Sequence, residues 1–215
     1  MRLSDGNVPG QHNCYRFLVA TLQAALSSPD QSARLKAALT AGTFPQPEYI
    51  DVLIAQCAHE TDFFVRDTLS WALMRNDIDL VVERLRPELS SENPQAKSQA
   101  IHTLSKIGDK KNYSLITEDL FYDSNDLVAT TAWRAASVLV PDDQKEDLVK
   151  ILITQLGRGD SDVQFSLTRF LCAIGDEIVE PLKAATTSPR EDIRVQAEFT
   201  LMRYQEMKLE FEKKA

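Results

Sequence analysis

A column of large or polarisable side chains recurs roughly every 32 residues along the sequence. Its members are Leu39, Trp71, His102, Arg134, Arg169 and Phe199. Trp and Arg are enriched among the residues that dominate binding at protein interfaces. The planar guanidinium of Arg also binds carboxylate and phosphate groups through paired hydrogen bonds. These residue types at this spacing predict a surface that binds a protein or peptide segment, and they favour an acidic one.

The column is positioned by a helical pattern that repeats with the same period. In its clearest copy, Val65, Leu69 and Leu73 lie four residues apart, as on one side of a helix. The residues equivalent to Val65 are Ala33, Ala96, Val128, Val163 and Ile193, and consecutive copies are 32, 31, 32, 35 and 30 residues apart. A period of this length marks an array of repeats, in which each unit buries its apolar face against its neighbours.

Clusters of turn-forming residues divide the sequence into an N-terminal arm, flexible or capping, at residues 1–13 and a single repeat domain at residues 14–215. Helix pairs are predicted within that domain at residues 14–42, 49–76, 78–108, 112–140, 144–175 and 177–212. Gly42 ends the first pair and is predicted to adopt the left-handed conformation that closes many helices. The pattern predicts an all-α fold, an α/α superhelical solenoid of about six helix pairs.

Positions two, six and nine residues after each Val65 equivalent should point away from the partner helix, because a helix turns about 100° per residue. In a solenoid this direction is the concave face. The residues predicted to bind a partner there are Trp71, Met74, His102, Arg134, Phe165, Arg169 and Phe199, and Ser98, Ser105 and Cys172 occupy equivalent positions. On one continuous surface, Trp71 and Arg134 should be about 20 Å apart, since adjacent helices pack at roughly 8–10 Å. The alternative is that the N-terminal arm, or close packing between repeats, covers Trp71 and Phe199.

Charge and composition exclude some classes of function. The chain carries 24 Lys and Arg against 32 Asp and Glu, a net charge of −8, so we expect no strong binding to nucleic acid. No apolar run approaches the 18 or so residues of a membrane span, and the N-terminus lacks the apolar core of a secretion signal. The three Cys are far apart with no CxxC spacing, which favours reduced thiols and predicts neither disulfides nor a zinc site. A cytoplasmic protein is expected.

The repeat pattern resembles the HEAT repeat, and more narrowly the short HEAT-like repeats of phycobilisome lyase subunits. The resemblance is carried by Asp62-Phe63-Phe64-Val65-Arg66 and Glu191-Asp192-Ile193-Arg194 at the start of second helices, and by 104–108 and 171–175, each ending in Ile-Gly, at their ends. It implies that turn Asp and helix Arg residues pair along the array, so that Asp62 with Arg66, and Asp30 with Arg34, have structural roles.

Two enzyme families with HEAT-like repeats give comparisons for catalysis. Deoxyhypusine hydroxylase binds two irons through several His-Glu pairs, whereas this chain has the single pair His59-Glu60, which cannot complete a di-iron site. HEAT-like alkylpurine DNA glycosylases use concave Trp residues and an Asp, to which Trp71 and Asp67 are similar. Phycobilin lyase activity would be a fold analogy without a bilin-specific motif. No nucleophile elbow, P-loop, dinucleotide fingerprint or zinc-protease motif is present.

The sequence therefore predicts a non-catalytic scaffold that binds a protein or peptide partner on its concave face, with no cofactor and no metal. A glycosylase-type enzyme acting on damaged bases and a purely structural spacer are the alternatives. The partner's identity and the oligomeric state stay open, with a monomer favoured.

Overall fold

The structure, a computed structural model, describes the backbone of residues 9–213 and the side chains of residues 15–213. The α-helices in this range are α1 Pro9–Leu26, α2 Gln31–Thr43, α3 Ile50–Cys57, α4 Phe63–Leu73, α5 Ile78–Leu85, α6 Pro94–Ile107, α7 Glu118–Phe121, α8 Asp126–Leu139, α9 Lys145–Ile153, α10 Ser161–Ile174, α11 Val179–Ala185 and α12 Glu191–Glu212. Five 3-10 turns connect them, at Pro47–Tyr49, Arg86–Ser90, Lys110–Leu115, Asp142–Gln144 and Asp176–Ile178. The predicted fold class, an all-α solenoid of helix pairs, is confirmed.

The described helices fall into two compact units, one ending at Ala100 and one beginning at Ile101. In the first unit α1 packs on α2, and α4 packs on both α2 and α3. In the second unit α10 lies between α8 and α12, and α11 packs on α9 and α12. Helix α6 begins in the first unit and ends in the second. No helix in the described range is both long enough and apolar enough to cross a lipid bilayer.

The core consists of the apolar positions that repeat along the sequence. Val65, Leu69 and Leu73 are fully buried, and most of their equivalents in the other repeats are buried as well. The exceptions are Ala33 in the first repeat and Ile193 and Leu201 in the last, which are only half-buried. Terminal repeats have a neighbour on one side only, so their outer positions stay more accessible.

The boundaries differ from the prediction at two places. Helix α1 begins at Pro9, so residues 9–13, predicted to belong to the arm, are helical, while residues 1–8 lie outside the described residues. In the fourth pair the first helix is not continuous. A 3-10 turn at Lys110–Leu115 and the single-turn helix α7 replace it. Short segments of this kind lack the length at which periodicity identifies a helix.

In the first, second and last repeats, the turn between the two helices is held by the Arg that follows the first core position. Nη1 of Arg66 donates to the carbonyls of Glu60 and Thr61 at 2.9 and 2.7 Å. Nη1 of Arg34 donates in the same way to the carbonyls of Ser28 and Pro29 at 3.0 and 3.2 Å. Arg194 makes the equivalent pair of bonds in the last repeat, to residues 188 and 189. One guanidinium nitrogen thus satisfies two turn carbonyls in each of these repeats.

The Asp–Arg pairs that the resemblance implied are therefore wrong in their partners, although all four residues are structural. Asp62 and Asp30 cap α4 and α2 instead, because their carboxylates accept hydrogen bonds from the backbone N–H groups of Val65 and Ser32, each at 3.0 Å. The first N–H groups of a helix have no partner within the helix, and an Asp at this position supplies one. Each Asp thus caps the start of its own helix, and each Arg donates to the backbone carbonyls of the turn.

The fourth repeat has Ala129 where the Arg would stand, and Arg158 from the following repeat takes over its role. Its guanidinium donates to the carbonyls of Phe121 and Asp123, and its Nε donates to the Asp126 carboxylate at 2.9 Å. The Asp123 carbonyl is the one that an Arg at position 129 would reach by the spacing seen in the other repeats. The missing side chain is thereby replaced by a longer-range contact.

A buried carboxylate joins the first two repeats. Glu60 is only 2% exposed and accepts both Nε and Nη2 of Arg34, at 2.8 and 2.9 Å. The Asp62 N–H and the Gln56 amide donate to the same carboxylate, at 2.9 and 3.1 Å. Burial alone would raise the pKa of Glu60, but these hydrogen bonds and the Arg34 charge lower it from 4.5 to about 2. Both oxygens of the Glu60 carboxylate thus accept hydrogen bonds from other groups of the protein.

We expect the Glu60–Arg34 contact to make stability dependent on acid pH. A carboxyl whose pKa is lower in the folded than in the unfolded chain stabilises the fold above the unfolded value. Its contribution, on the order of 3 kcal/mol from the shift to about 2, is then lost as the pH falls from about 5 to about 2. Glu60→Gln should lower the free energy of unfolding by roughly this amount at pH 7. Urea titrations across this pH range measure the difference.

Glu180→Gln is the matched control, because Glu180 forms an exposed pair with Lys183 and such pairs contribute at most about 1 kcal/mol. The difference between the wild type and Glu60→Gln should shrink toward pH 2, while the Glu180→Gln variant should follow the wild type throughout. A constant difference for Glu60→Gln at every pH would contradict the pKa shift as its cause.

Candidate functional site

The predicted binding positions on α10 and α12 come together on one surface of the second unit. The rings of Phe165 and Phe199 meet edge to face, with centroids 5.6 Å apart. Together with Arg169, Cys172 and Met202 they line an open cavity of about 600 Å³. Five further residues complete its lining: Thr168, Arg203, Glu206, Met207 and Glu210. We refer to this cavity as the α10/α12 groove.

A buried polar seam fixes how the two walls of the groove are aligned. The hydroxyls of Thr168 and Thr200 are hydrogen-bonded at 2.9 Å, and the Cys172 thiol contacts the Thr200 carbonyl at 3.8 Å. Thr200 also donates to the Gln196 carbonyl at 2.8 Å. Because these polar groups satisfy one another, they set the register of α12 against α10 and leave the groove above them mainly apolar.

Helix α12 continues beyond the end of its neighbour, and this extension forms the outer part of the groove. The Thr168–Thr200 contact joins residues 32 apart, so Ile174, the last residue of α10, lies level with about residue 206. Met207 and Glu210 follow that point and have no part of α10 beside them. The groove therefore has two helical walls at its inner end and one wall at its outer end.

The charges on the groove are balanced but not all paired. Arg203 binds Glu206 at 2.6 Å on the same helix. Arg169 is exposed, lies 4.9 Å from the Phe170 ring, and forms no ion pair with any residue that the structure describes. Glu210, at the outer end, is exposed as well. The rim thus offers one guanidinium to a ligand, next to two phenylalanine rings.

Cys172 lies at the base of the groove as a neutral thiol. Its side chain is buried, and this burial raises the pKa of the thiol to about 11. A thiolate is the reactive form of cysteine, so at neutral pH the sulfur acts as a small apolar contact.

The remaining predicted residues lie elsewhere. Trp71 and Met74 belong to the first unit, where Trp71 is 36% exposed and Met74 is half-buried at the end of α4. His102 on α6 and Arg134 on α8 are half-buried, and neither lines the α10/α12 groove. The 20 Å separation of Trp71 and Arg134 stays a prediction.

Two positions predicted to face the groove are wrong. Ser98 and Ser105 on α6 are 2% and 7% exposed, respectively. Small hydroxyl side chains fit between closely packed helices, where large side chains at the same positions would be forced outward. The position of a residue in the repeat therefore indicates which way its side chain points from the helix. The size of the side chain then decides whether it reaches solvent.

The groove residues that sequence reasoning missed are those on the extension of α12. Arg203, Glu206, Met207 and Glu210 are not among the residues that the sequence pattern predicts to bind a partner. Their signal was Met202, Glu206 and Glu210 at successive intervals of four, which continue the outward face of Phe199. The prediction stopped at the ninth position of the repeat and so did not follow this face.

Trp71 owes its position to a glycine on the adjacent helix. Gly42 lies inside α2 and its φ is not positive, so the left-handed conformation predicted for it is wrong. It is buried against the Trp71 indole, and a Cβ added there would lie 2.6 and 2.9 Å from the ring atoms Cε3 and Cη2. The residue is glycine at this point because the indole occupies the space that a side chain would need.

Comparison with known proteins identifies no family. No protein-family model and no curated protein matches the sequence. Solved structures with a similar backbone include an engineered protein, at 21% identity and a TM-score of 0.47, covering 87% of this chain and 96% of that one. The complex of CpcE and CpcF of phycocyanin lyase from Nostoc sp. PCC7120 has 18% identity and a TM-score of 0.47. The similarity covers 92% of this chain and 78% of that one.

Human deoxyhypusine hydroxylase in complex with glycerol gives 15% identity and a TM-score of 0.44, covering 93% of this chain and all of that one. Identities and TM-scores at this level do not bear on the site or on its ligand.

Because of the Gly42–Trp71 contact, we expect replacement of this helical glycine by alanine to lower the free energy of unfolding, which is the opposite of the usual effect. Ala in place of Gly inside a helix normally stabilises by about 1 kcal/mol. Here Gly42→Ala should instead destabilise by about 1–3 kcal/mol, because its methyl group overlaps the indole. In a Trp71→Ala background the same substitution should be neutral or stabilising. Urea unfolding of the two single variants and the double variant gives this coupling directly. Stabilisation by Gly42→Ala in the wild-type background would contradict the contact.

Proposed function

We propose that the protein is a non-catalytic interaction module and that the α10/α12 groove binds a segment of a partner protein. The observation that carries the proposal is the combination of the exposed Phe165 and Met202 side chains with the Arg169 guanidinium, which pairs with no acidic residue that the structure describes. Aromatic residues, Met and Arg are enriched in the cores of protein interfaces. A monomer that exposes such a cluster normally uses it for binding.

The shape and chemistry of the groove indicate what the segment contains. A volume of about 600 Å³ accommodates a few side chains and is within the usual range for ligand pockets. Phe165, Phe199 and Met202 would contact a large apolar side chain, and Met207 would contact it from the outer end. A neighbouring Asp or Glu of the segment would pair with Arg169. Such a bond is stronger than one between neutral groups, because both partners are charged.

A base-acting enzyme is less well supported by the same site. Two Arg and two Glu line the groove, and Arg203 is already bound to Glu206. Binding to a phosphate backbone depends on clustered cations, and the groove does not present such a cluster. The proposal therefore concerns a protein ligand.

Selection from a displayed library of random 12-residue peptides on the full chain tests the proposal. Selected peptides should share a large apolar residue close to an Asp or Glu. Phe165→Ala and Arg169→Glu should each weaken their binding by roughly 1–3 kcal/mol, as expected for residues at the centre of an interface. Both side chains are exposed, so the fold should be retained. Isothermal titration with the selected peptides measures the change.

Tyr122→Ala and Lys183→Glu are matched controls, since both residues are exposed, lie in the same unit and do not line the groove. Neither should change the affinity. Arg169→Glu should also shift a repeated selection from acidic to basic residues next to the apolar one. Peptides that bind Phe165→Ala and Arg169→Glu as tightly as the wild type would show that this groove is not the binding site.

A further inference from the structure

The chain itself carries a segment of the kind that the α10/α12 groove is proposed to bind. The extension of α12 contains Leu209, Glu210, Phe211 and Glu212, in which large apolar residues alternate with carboxylates. Leu209 and Phe211 are both more than half exposed, and the two Glu are exposed as well. The extension cannot enter the groove of its own chain, because it continues the helix that forms one of the two walls. It can reach only the groove of a second copy.

The outer side of α12 carries a seven-residue repeat, which is typical of helices that pair with a second helix. The repeat positions are alternately four and three residues apart, and they are occupied by Val195, Phe199, Met202, Glu206, Leu209 and Lys213. Val195, Met202 and Leu209 are exposed, whereas the buried residues of α12 lie on other sides of the helix. Alternation of four and three keeps side chains on the seam between two paired helices. We refer to these six positions as the α12 seam.

The lengths of α10 and α12 make two antiparallel copies complementary. Because Thr168 pairs with Thr200, 32 residues later, α10 lies level with about residues 193–206 of α12. The extension of α12 continues for about 9 Å beyond that level, at 1.5 Å per residue. When two α12 helices run in opposite directions with their seams in contact, each extension lies beside the two-walled end of the other groove. Parallel helices would place the two extensions together, each still without a second wall.

The charges at the two ends of the groove favour the same antiparallel orientation. Arg169 lies at the two-walled end and forms no ion pair with a described residue, and Glu210 lies exposed at the outer end. Antiparallel copies bring the Glu210 of each chain toward the Arg169 of the other, whereas parallel copies bring like charges level with each other. Two Arg and two Glu line the groove, so two copies can meet there without strong repulsion, although each chain has a net charge of −8.

We propose that the protein forms a homodimer in which two α12 helices pair antiparallel and the extension of each copy fills the α10/α12 groove of the other. This inference rests on the proposed function of that groove and names a second copy of the chain as the partner, in place of the monomer that the sequence favoured. The contact is two-fold symmetric, so the pair of Arg169 with Glu210 occurs twice. Two of the six seam positions, Glu206 and Lys213, are charged, which weakens the pairing and predicts a reversible dimer.

Sedimentation equilibrium of the full chain measures the dissociation constant of the dimer. Arg169→Glu and Glu210→Arg should each raise this constant at least about fivefold, because each substitution turns two symmetric attractions into repulsions. An equimolar mixture of the two variants should associate again. In the mixed dimer the acidic side chain introduced at position 169 faces the basic one introduced at position 210, and the two native residues face each other.

Lys183→Glu and Glu180→Arg are the matched controls, because they make the same changes of charge at exposed positions of α11 that do not line the groove. Neither variant, alone or in a mixture with the other, should change the dissociation constant. Leu209→Lys tests the apolar part of the contact. Leu209 is exposed, so the variant should keep its helix content, as circular dichroism can check, and should be monomeric at concentrations where the wild type is a dimer.

A wild type that stays monomeric up to millimolar concentration would overturn the dimer, and so would a dimer that Arg169→Glu and Glu210→Arg leave unchanged. Weaker association of both variants without recovery in the mixture would equally overturn it, because the two residues would then not meet between copies. The proposed function is tested separately on the Leu209→Lys variant, whose groove should bind the selected peptides at least as tightly as the wild type. Absence of peptide binding there would contradict the peptide site and not the dimer.

Discussion

The described repeats depend on satisfying the backbone carbonyls of the turn between their two helices. Arg66, Arg34 and Arg194 each place one nitrogen between two of these carbonyls. One carbonyl bound by each of these Arg residues is partly buried, and a fully buried acceptor left unpaired would destabilise the fold by about 1–3 kcal/mol. Because the guanidinium carries several donors in a fixed plane, the rest of the group remains available. In Arg34 the remaining donors bind the buried Glu60, which links the turn of one repeat to that of the next.

Much of the fold could be predicted because the period and the core positions are local properties of the sequence. Val65, Leu69 and Leu73 share one side of a helix whatever surrounds them, and their equivalents identify the array. The hydrogen-bond partners of polar side chains, in contrast, cannot be read from the spacing of residues along the chain. The pairing of Asp62 with Arg66 was wrong because each residue had a nearer backbone group to satisfy, and neither group is apparent from the residue types alone.

The candidate site shows the same division. The direction of Phe165, Arg169 and Phe199 follows from helix geometry, and the structure places the three on one groove. The role of Gly42 depends instead on the distance between α2 and α4, which the sequence does not specify. The outer end of the α10/α12 groove depends on α12 being longer than α10, and a pattern read one repeat at a time does not reveal a difference in helix length.

Arg158 has a consequence for the order in which the chain can assemble. The Asp123 carbonyl accepts a hydrogen bond from a side chain 35 residues further along. The hydrogen bonds from Arg34, Arg66 and Arg194 to their turn carbonyls span at most six residues. During synthesis from the N-terminus, the fourth repeat therefore leaves the ribosome before Arg158 is present. Its Asp123 carbonyl can accept this hydrogen bond only after the fifth repeat has followed. The second repeat has the same dependence, because carbonyls of Cys57 and Ala58 at its turn accept the side-chain amides of Gln95 and Asn93 in the third repeat. At both places a repeat makes all its turn hydrogen bonds only when the following repeat is present, which couples the folding of neighbouring repeats.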